Sequence, residues 1–421
     1  MTGFYIPYIT CSKKERMKIR AILDHGINID GLVIDYRRLS GNYKRETTEI
    51  IVDVYNSNPE AIILVDPRTD AFQVNKSIRG GYKSLKKIFR LADYDSDDVI
   101  KEDKYFEPNR IRTRLKFIID NLYKETRIPR INAPPLEPSF FIPPYFVARS
   151  YGDDWYNLTL ESINIALKKF KGKVRILAPI AVDKNVFSYS NDILKIIDDY
   201  KALDVDGYIV FPYNVNELNV SGTILENLTL LSTELKSTGK FVIVHIAEFG
   251  NVLISLGIDA ITCGICSHKT PYDFIMFEKG LAEIARTEDQ LYIHSIFRKL
   301  YTTKFAKFYE LLQEAFSCDC PICQNYRNSY LDLVEEAGYT DFSIHYMYWK
   351  NDEIESYSNN PDRLLRDLKK AKTVVNTYNE RVGDEYFFIE ETKYKFFIDP
   401  SYLDKWSNVL RTFSHSDSTN L

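Results

Sequence analysis

From its start to about residue 266, the chain alternates short apolar runs with amphipathic stretches of helical length. Eight apolar runs have the length and composition of strands: FYIPYIT, GLVIDY, AIILVDP, FFIPPYFV, VRILAPIAV, GYIVFPYN, KFVIVHI and AITCGI. Their lack of clean alternation between apolar and polar residues is typical of parallel strands buried on both faces. Eight strands in a β-then-α order predict a (β/α)8 barrel, with a doubly wound open sheet as the alternative.

Helices are predicted between most of these strands, and several of the segments end in glycine, as helix C-caps do. The clearest are KKERMKIRAILDHG, TLESINIALKKFKG, NDILKIIDDYKALD and ILENLTLLSTELKSTG. Beyond the barrel, FEKGLAEIARTE, IFRKLYTTKFAKFYELLQEAF and PDRLLRDLKKAKTVVNTYNE also have helical patterns. We therefore divide the chain into a barrel domain, residues 1–290, and a C-terminal helical subdomain, residues 291–421.

Polar residues at the carboxyl ends of the predicted strands are candidates for chemistry, because the active sites of such barrels lie there. These residues are Asp35, Asp66, Asp183, His245, Glu248, Thr262 and Cys263. Asp66 is the strongest candidate, since IILVDPRTDAF places it where a strand must break. A capping or surface role is the alternative for each of them.

A helical insertion, predicted at residues 73–138, interrupts the barrel and mixes basic with aromatic side chains. NKSIRGGYKSLKKIFR has six basic residues and no acidic one, and NRIRTRLKF has four basic residues. Such a mixture is typical of phosphate contact and base stacking, with a solvated helical face as the alternative. The predicted nucleic-acid-binding residues are Lys76, Arg79, Tyr82, Lys83, Lys86, Lys87, Arg90, Arg110, Arg112 and Arg114, with Phe89 as a second stacking candidate.

Three of the six cysteines lie within six positions, as Cys318, Cys320 and Cys323. A disulfide at these spacings would be strained and would leave one thiol unpaired, whereas zinc takes four ligands in a tetrahedron. The nearest later histidine, His345, completes a C-x-C-x2-C-x21-H pattern. The pattern predicts a structural zinc without an open position for water; a reactive thiol cluster or core cysteines are the alternatives.

Composition and charge narrow the choice of compartment and partner. The sequence contains no apolar stretch of membrane-spanning length, and its first residues lack the pattern of a signal peptide. We therefore predict a cytoplasmic protein without a membrane partner, in whose reducing surroundings metal ligation is favoured over disulfides. The net charge of −4 means that any nucleic-acid contact must come from local patches.

A barrel followed by this cysteine and histidine order resembles the tRNA-guanine transglycosylase family. LDVDGYIVFPYNVNE, KFVIVHIAEFGNVLISLGIDAITCG and AIILVDPRTDAFQV look like three of the family's strand-and-turn segments. The resemblance implies that Asp66 is a general acid/base and makes Asp259 a further catalytic candidate beside Asp35. Thr262 stands where the family has its nucleophilic aspartate. The implied substrate-binding residues are Asp70, Phe72, Tyr145, Tyr213, Glu217, His245 and Glu248.

The family exchanges a nucleobase for a 7-deazaguanine through a covalent sugar intermediate. With threonine in place of the nucleophile, hydrolysis becomes more favourable than exchange, since water can attack instead. We therefore predict an enzyme that excises a modified base from nucleic acid, with DNA favoured over tRNA and, by analogy with DNA-acting relatives, a role in phage defence. The alternatives are a catalytically silent nucleic-acid-binding subunit and an unrelated barrel enzyme. The one oligomer we consider is a homodimer through the zinc subdomain.

Overall fold

A computed structural model describes residues 3–9, 13–39, 44–73, 108–130, 133–265, 290–312, 318–326, 339–389 and 392–414. The first nine strands are β1 (Phe4–Ile9), β2 (Gly31–Asp35), β3 (Ile62–Asp66), β4 (Ile128–Arg130), β5 (Ala133–Leu136), β6 (Leu177–Asp183), β7 (Gly207–Tyr213), β8 (Phe241–His245) and β9 (Ala260–Gly264). All except β4 and β5 form one parallel sheet in the order β3-β2-β1-β9-β8-β7-β6. The first and last strands of this sheet are therefore neighbours at its centre.

The two edge strands of the sheet, β3 and β6, are joined by residues 139–148. Isolated parallel bridges pair Leu64 with Phe140, and Phe141 with Ile176. This segment contains the predicted strand FFIPPYFV, but it is not a regular strand because Pro143 and Pro144 have no N–H to donate to a ladder. Instead of the eight regular strands predicted, the structure has a seven-stranded parallel sheet and an irregular segment between its edges.

Apolar side chains from the sheet belong to two separate clusters. The inner cluster contains alternate strand residues such as Val33, Leu64 and Ile209, together with Phe140 and Tyr145 from the irregular segment. The intervening strand residues belong to a larger outer cluster, which also includes the buried faces of the helices. Because successive strand residues point to opposite faces, both faces of the sheet are buried, and this explains the continuous apolar runs in the sequence.

Helices connect the strands as the amphipathic patterns predicted. They are α1 (Lys13–Asp24), α2 (Tyr36–Leu39), α3 (Lys44–Ser57), α4 (Pro108–Glu125), α5 (Asp154–Phe170), α6 (Ser190–Lys201), α7 (Gly222–Lys236) and α8 (Gly250–Ser255). Gly26, Gly172 and Gly239 follow three of them with φ between 70° and 76°. This left-handed conformation is the one in which glycine ends a helix without a steric penalty, so the predicted stops are confirmed.

The C-terminal part contains two β-hairpins as well as helices. Its elements are β10 (Gln290–Ile293), β11 (Arg298–Tyr301), α9 (Thr302–Leu311), α10 (Pro321–Asn325), α11 (Tyr339–Tyr357), α12 (Pro361–Val382), β12 (Tyr386–Ile389), β13 (Thr392–Lys395) and α13 (Ser401–Ser414). The helix predicted from IFRKLYTTKF begins only at Thr302, because the preceding residues pair with β10. FEKGLAEIARTE lies outside the described residues.

The insertion contains a helix, as predicted, and a hairpin that the sequence pattern did not indicate. Its last part consists of α4 and the antiparallel hairpin β4–β5, although we expected no strand between Phe72 and Ser139. The pairing of β4 with β5 is short and irregular, and the prolines of IPRINAPPL interrupt the alternation that would have identified it. Among the helices described in the structure, none is long and apolar enough to cross a membrane.

Candidate metal centre and carboxylate cluster

Cys318, Cys320, Cys323 and His345 form a buried group whose ligand atoms lie within 4.8 Å of one another. The distances from His345 Nδ1 to the three Sγ atoms are 3.6, 3.2 and 3.5 Å, in the order of the chain. Typical Zn–S and Zn–N bonds at tetrahedral angles would place sulfur and nitrogen about 3.6 Å apart. The four side chains therefore fit one tetrahedral metal ion, and three thiolates with an imidazole favour zinc.

The surroundings of this group orient its ligands. His345 Nε2 lies 2.8 Å from the carbonyl oxygen of Tyr292, so the other ring nitrogen, Nδ1, is left to face the cysteines. The sulfur of Cys320 accepts the backbone N–H of Cys323, and the sulfur of Cys318 accepts the indole N–H of Trp349. These donors stabilise thiolates. The four side chains would hold a zinc ion as a cross-link between α10 and α11.

At the carboxyl edge of the sheet, two carboxylates lie on neighbouring strands. Asp35 and Asp66 are register partners at the ends of β2 and β3, and both are fully buried. Asp66 accepts hydrogen bonds of 2.8 Å from the hydroxyls of Tyr8 and Tyr145, and one of 3.0 Å from the backbone N–H of Arg68. Donors to both of its oxygens stabilise the charged form of Asp66.

An arginine and a third aspartate, Arg68 and Asp70, extend this cluster. The Arg68 side chain donates two bonds of 3.0 Å to Asp70, and Tyr213 donates one of 2.6 Å to the same carboxylate. Arg68 adopts a left-handed backbone conformation, with φ of 50°, which costs a residue with a side chain roughly 1–2 kcal/mol. The bidentate pair with Asp70 offsets that strain.

His245 and Thr262 line the same interior, since they are register partners on β8 and β9. Burial, reinforced by the positive charge of Arg68, lowers the pKa of His245 well below its usual value. The imidazole is therefore neutral and packs edge-on against the ring of Tyr8. The Thr262 hydroxyl is buried and has no hydrogen-bond partner among the described residues.

Glu217 and Glu248 belong to a buried ionic network rather than to the carboxylate cluster. Glu248 forms ion pairs with Lys350 at 2.6 Å and with Lys299 at 3.5 Å. Lys350 also pairs with Glu353 at 2.7 Å. Glu217 accepts the backbone N–H groups of Ala247 and Glu248. Since Lys350 lies on α11, this network connects the sheet to the helix that carries His345.

The other predicted residues lie apart from the cluster or outside the described part of the chain. Asp259 precedes β9, at the opposite edge of the sheet, where it accepts bonds from Lys236 and the backbone of Val242. Asp183 ends β6 and accepts a bond from Asn214. Cys263 is buried between the hydroxyls of Tyr5 and Tyr346.

Few of the predicted nucleic-acid-binding residues are described. Arg112 forms an ion pair with Glu161, and Arg114 lies on the same helix, α4. Outside the described residues lie Lys76, Arg79, Tyr82, Lys83, Lys86, Lys87, Phe89 and Arg90. For Phe72 and Arg110 the structure describes the backbone position, in the turn Thr69–Gln73 and in α4 respectively.

Several residues that complete the site were not among those predicted from the sequence. Tyr8 and Arg68 supply bonds to the carboxylates, and Lys350 and Glu353 supply the centre of the ionic network. Arg68 could have been predicted, because DPRTD places a cation between two acidic residues just after a strand.

No model of a known protein family matches the chain, and no curated protein matches it significantly.

Proposed function

We propose that the chain is a base glycosylase that cleaves the N-glycosidic bond of a modified base in nucleic acid, with DNA favoured over tRNA and excision over exchange. The observation that carries this proposal is the buried pair Asp35 and Asp66 at the carboxyl edge of the sheet. We also interpret the sheet and residues 139–148 together as a (β/α)8 barrel, whose mouth is this edge. A role in defence against phages is an analogy that the chemistry permits.

The two carboxyl groups take different roles in this chemistry. When the bond between the sugar carbon and the base nitrogen breaks, positive charge develops on the sugar. Asp66, stabilised as a carboxylate by its three donors, offsets that charge and accepts a proton from the attacking water. The like charge of Asp66 favours the protonated form of Asp35, which gives its proton to the departing base. The oxygen of the attacking water forms the new bond to the sugar carbon, so Thr262 need not act as a nucleophile.

The zinc is structural in this proposal. It links α10 to α11, and it takes no part in bond cleavage because all four of its positions are filled by protein ligands. The basic residues of the insertion supply phosphate contacts, and the base leaves its stack to reach the barrel mouth at a cost of a few kcal/mol.

The experiment incubates the protein with modified and unmodified DNA and tRNA and identifies released bases by mass spectrometry. Asp66→Asn keeps the shape of the side chain but removes its charge, so base release should fall by about a hundredfold while binding persists. Asp259→Asn is the matched control, because it changes a buried aspartate at the opposite edge, and it should leave release within about twofold. Thr262→Ala should also cost little. Loss of release in Thr262→Ala but not in Asp66→Asn would contradict these roles.

A specific observation favours the second candidate, a catalytically silent nucleic-acid-binding subunit. Asp70 and Tyr213, both implied to bind substrate, are already bonded to each other, and Asp70 is bonded to Arg68 as well. A silent subunit would keep such a closed cluster without opening it. If the wild-type protein binds nucleic acid but releases no base from any of the four substrates, this second candidate replaces the first.

A further inference from the structure

The outer face of the β12–β13 hairpin consists of two aromatic and two basic side chains. The register pairs Tyr386 with Lys395 and Phe388 with Lys393, so these four side chains share one face of the two-stranded sheet. Phe388 is 63% exposed and Tyr386 is 39% exposed. We call these four residues the hairpin face. Two exposed aromatic side chains on one face form an apolar patch, and apolar patches rimmed by polar residues are a feature of interaction sites.

The charges on the hairpin face are positive. Lys393 Nζ lies 3.7 Å from the centre of the Tyr386 ring, and Lys395 Nζ lies 5.6 Å from it. Acidic residues lie beside this face: Glu385 pairs with Lys307, and Asp384 pairs with Lys395 at 3.8 Å. Glu390 and Glu391, between the two strands in the sequence, lie outside the described residues. Flat rings beside ammonium groups can stack on bases and contact phosphates at the same time.

The hairpin is held against the rest of the subdomain by its inner side. Phe387 is buried and packs near Tyr301 of β11. Lys304 donates hydrogen bonds to the backbone carbonyls of Lys395 and Phe397, at 3.2 and 3.0 Å. Two residues before Tyr301, Lys299 pairs with Glu248, which follows β8 at the carboxyl edge of the sheet. The hairpin is thus anchored to β11 and α9, and β11 is tied to the large sheet through the ion pair of Lys299 with Glu248.

We infer that the hairpin face binds single-stranded nucleic acid, with Phe388 and Tyr386 stacking on bases and the two lysines contacting phosphates. The inference rests on the proposed function in one respect, that the partner is a nucleic acid, and it does not require base release. An excised base must come from an opened strand, and a stacking platform on the same molecule would hold that strand.

The test measures the affinity of the full chain for a fluorescein-labelled single-stranded DNA of roughly 20 nucleotides by fluorescence anisotropy. Phe388→Ala should weaken binding about tenfold, as loss of one stacked base predicts. Phe388→Trp keeps a ring and should bind at least as tightly as the wild type. Met17→Ala is the matched control, because Met17 is a 60% exposed apolar residue on α1, and it should leave the affinity unchanged.

The lysines are tested through the salt dependence of the same binding. Replacing Lys393 and Lys395 together by glutamine should reduce the slope of log affinity against log salt by about 1.4, since each contact with a single strand contributes about 0.7. Lys370→Gln is the control, since Lys370 is a lysine with a 76% exposed side chain on α12, and it should leave the slope unchanged.

Two results would overturn the inference. One is unchanged affinity and unchanged salt slope in the hairpin variants. The other is unchanged DNA affinity in Phe388→Ala together with a shift from dimer to monomer in sedimentation, which would identify a second copy of the chain as the partner of the hairpin face. Base release is measured separately, so a protein that stacks DNA on the hairpin but releases no base would contradict only the proposed function.

Discussion

Replacing Lys350 by methionine removes a positive charge shared by Glu248 and Glu353. The Lys350 side chain is fully buried, and its ion pairs with the two carboxylates are 2.6 and 2.7 Å long. Glu248 and Glu353 are themselves buried, so water cannot replace the lost ammonium group. Although burial alone raises the pKa of Glu248, Lys350 and Lys299 hold it below its usual value, and the variant loses the larger of these two contributions.

The expected cost follows from the burial of this network. Removing one partner of a buried ion pair typically costs about 3–5 kcal/mol, because it leaves a charge without compensation. The unfolding entropy is roughly 2.1 cal/mol/K per residue, summed over 421 residues. Dividing the lost stability by this entropy gives a melting temperature lower by about 3–6 °C. The loss should shrink as the pH falls, because the carboxylates that have lost Lys350 then protonate in the folded state before they do so in the unfolded chain.

Thermal unfolding by circular dichroism, recorded at pH 8 and again at about pH 5, measures both effects. Lys370→Met is the matched control: Lys370 pairs with an acidic residue three positions away at 2.8 Å, as Lys350 does, but its side chain is 76% exposed. Exposed pairs contribute about 0.2–1 kcal/mol, so this variant should melt within roughly 1 °C of the wild type. If Lys350→Met were as stable as Lys370→Met at pH 8, the ionic network would not stabilise the fold as we describe.

Cys320→Ser should lose one equivalent of zinc, as measured by metal analysis, and should be less stable than the wild type, because metal binding contributes to folding. Cys263→Ser is the control: it changes a buried cysteine outside the group and should keep its zinc. No stoichiometric zinc in wild-type protein purified without chelator would contradict the site. Burial and the neighbouring Glu248 raise the pKa of Glu217 to about 7, so the folded state binds more protons than the unfolded state between roughly pH 4.5 and 7, and stability falls as the pH rises through that window. Glu217→Gln should flatten this dependence in chemical denaturation, and an unchanged slope would show that Glu217 does not titrate there.

The Cys3His group and the positions of the strands along the chain could be predicted from the sequence because both show as local patterns. Three cysteines within six positions leave little choice of chemistry, and His345 was the nearest later histidine. The continuous apolar runs predicted parallel strands, and seven of the eight are regular. Asp35 and Asp66 could be placed at strand ends from the same pattern, because each is the charged residue that ends an apolar run, as in IILVD.

Contacts between distant segments could not be predicted in the same way. Tyr8 and Asp66 are 58 residues apart, and Asn251 and Glu353 are 102 residues apart. Nothing in the local pattern of either segment requires its partner. Asp259 shows the opposite difficulty: its sequence context resembled that of a catalytic residue, but it precedes β9 and therefore lies at the edge away from Asp66. The short strands β12 and β13 were missed because their aromatic residues lack a clear alternation.

The irregular segment between β3 and β6 has a consequence for how Asp66 is positioned. Its backbone is held at Tyr145 and Val147 by side chains: the Thr69 hydroxyl bonds both the N–H and the carbonyl of Tyr145, and the Gln73 amide does the same for Val147. Backbone bonds at Phe141 and Ala148 hold the same segment to the β6 side of the sheet. Because the Tyr145 hydroxyl donates to Asp66, a substitution at Thr69 would act on this carboxylate through the backbone of the segment, without touching the carboxylate itself.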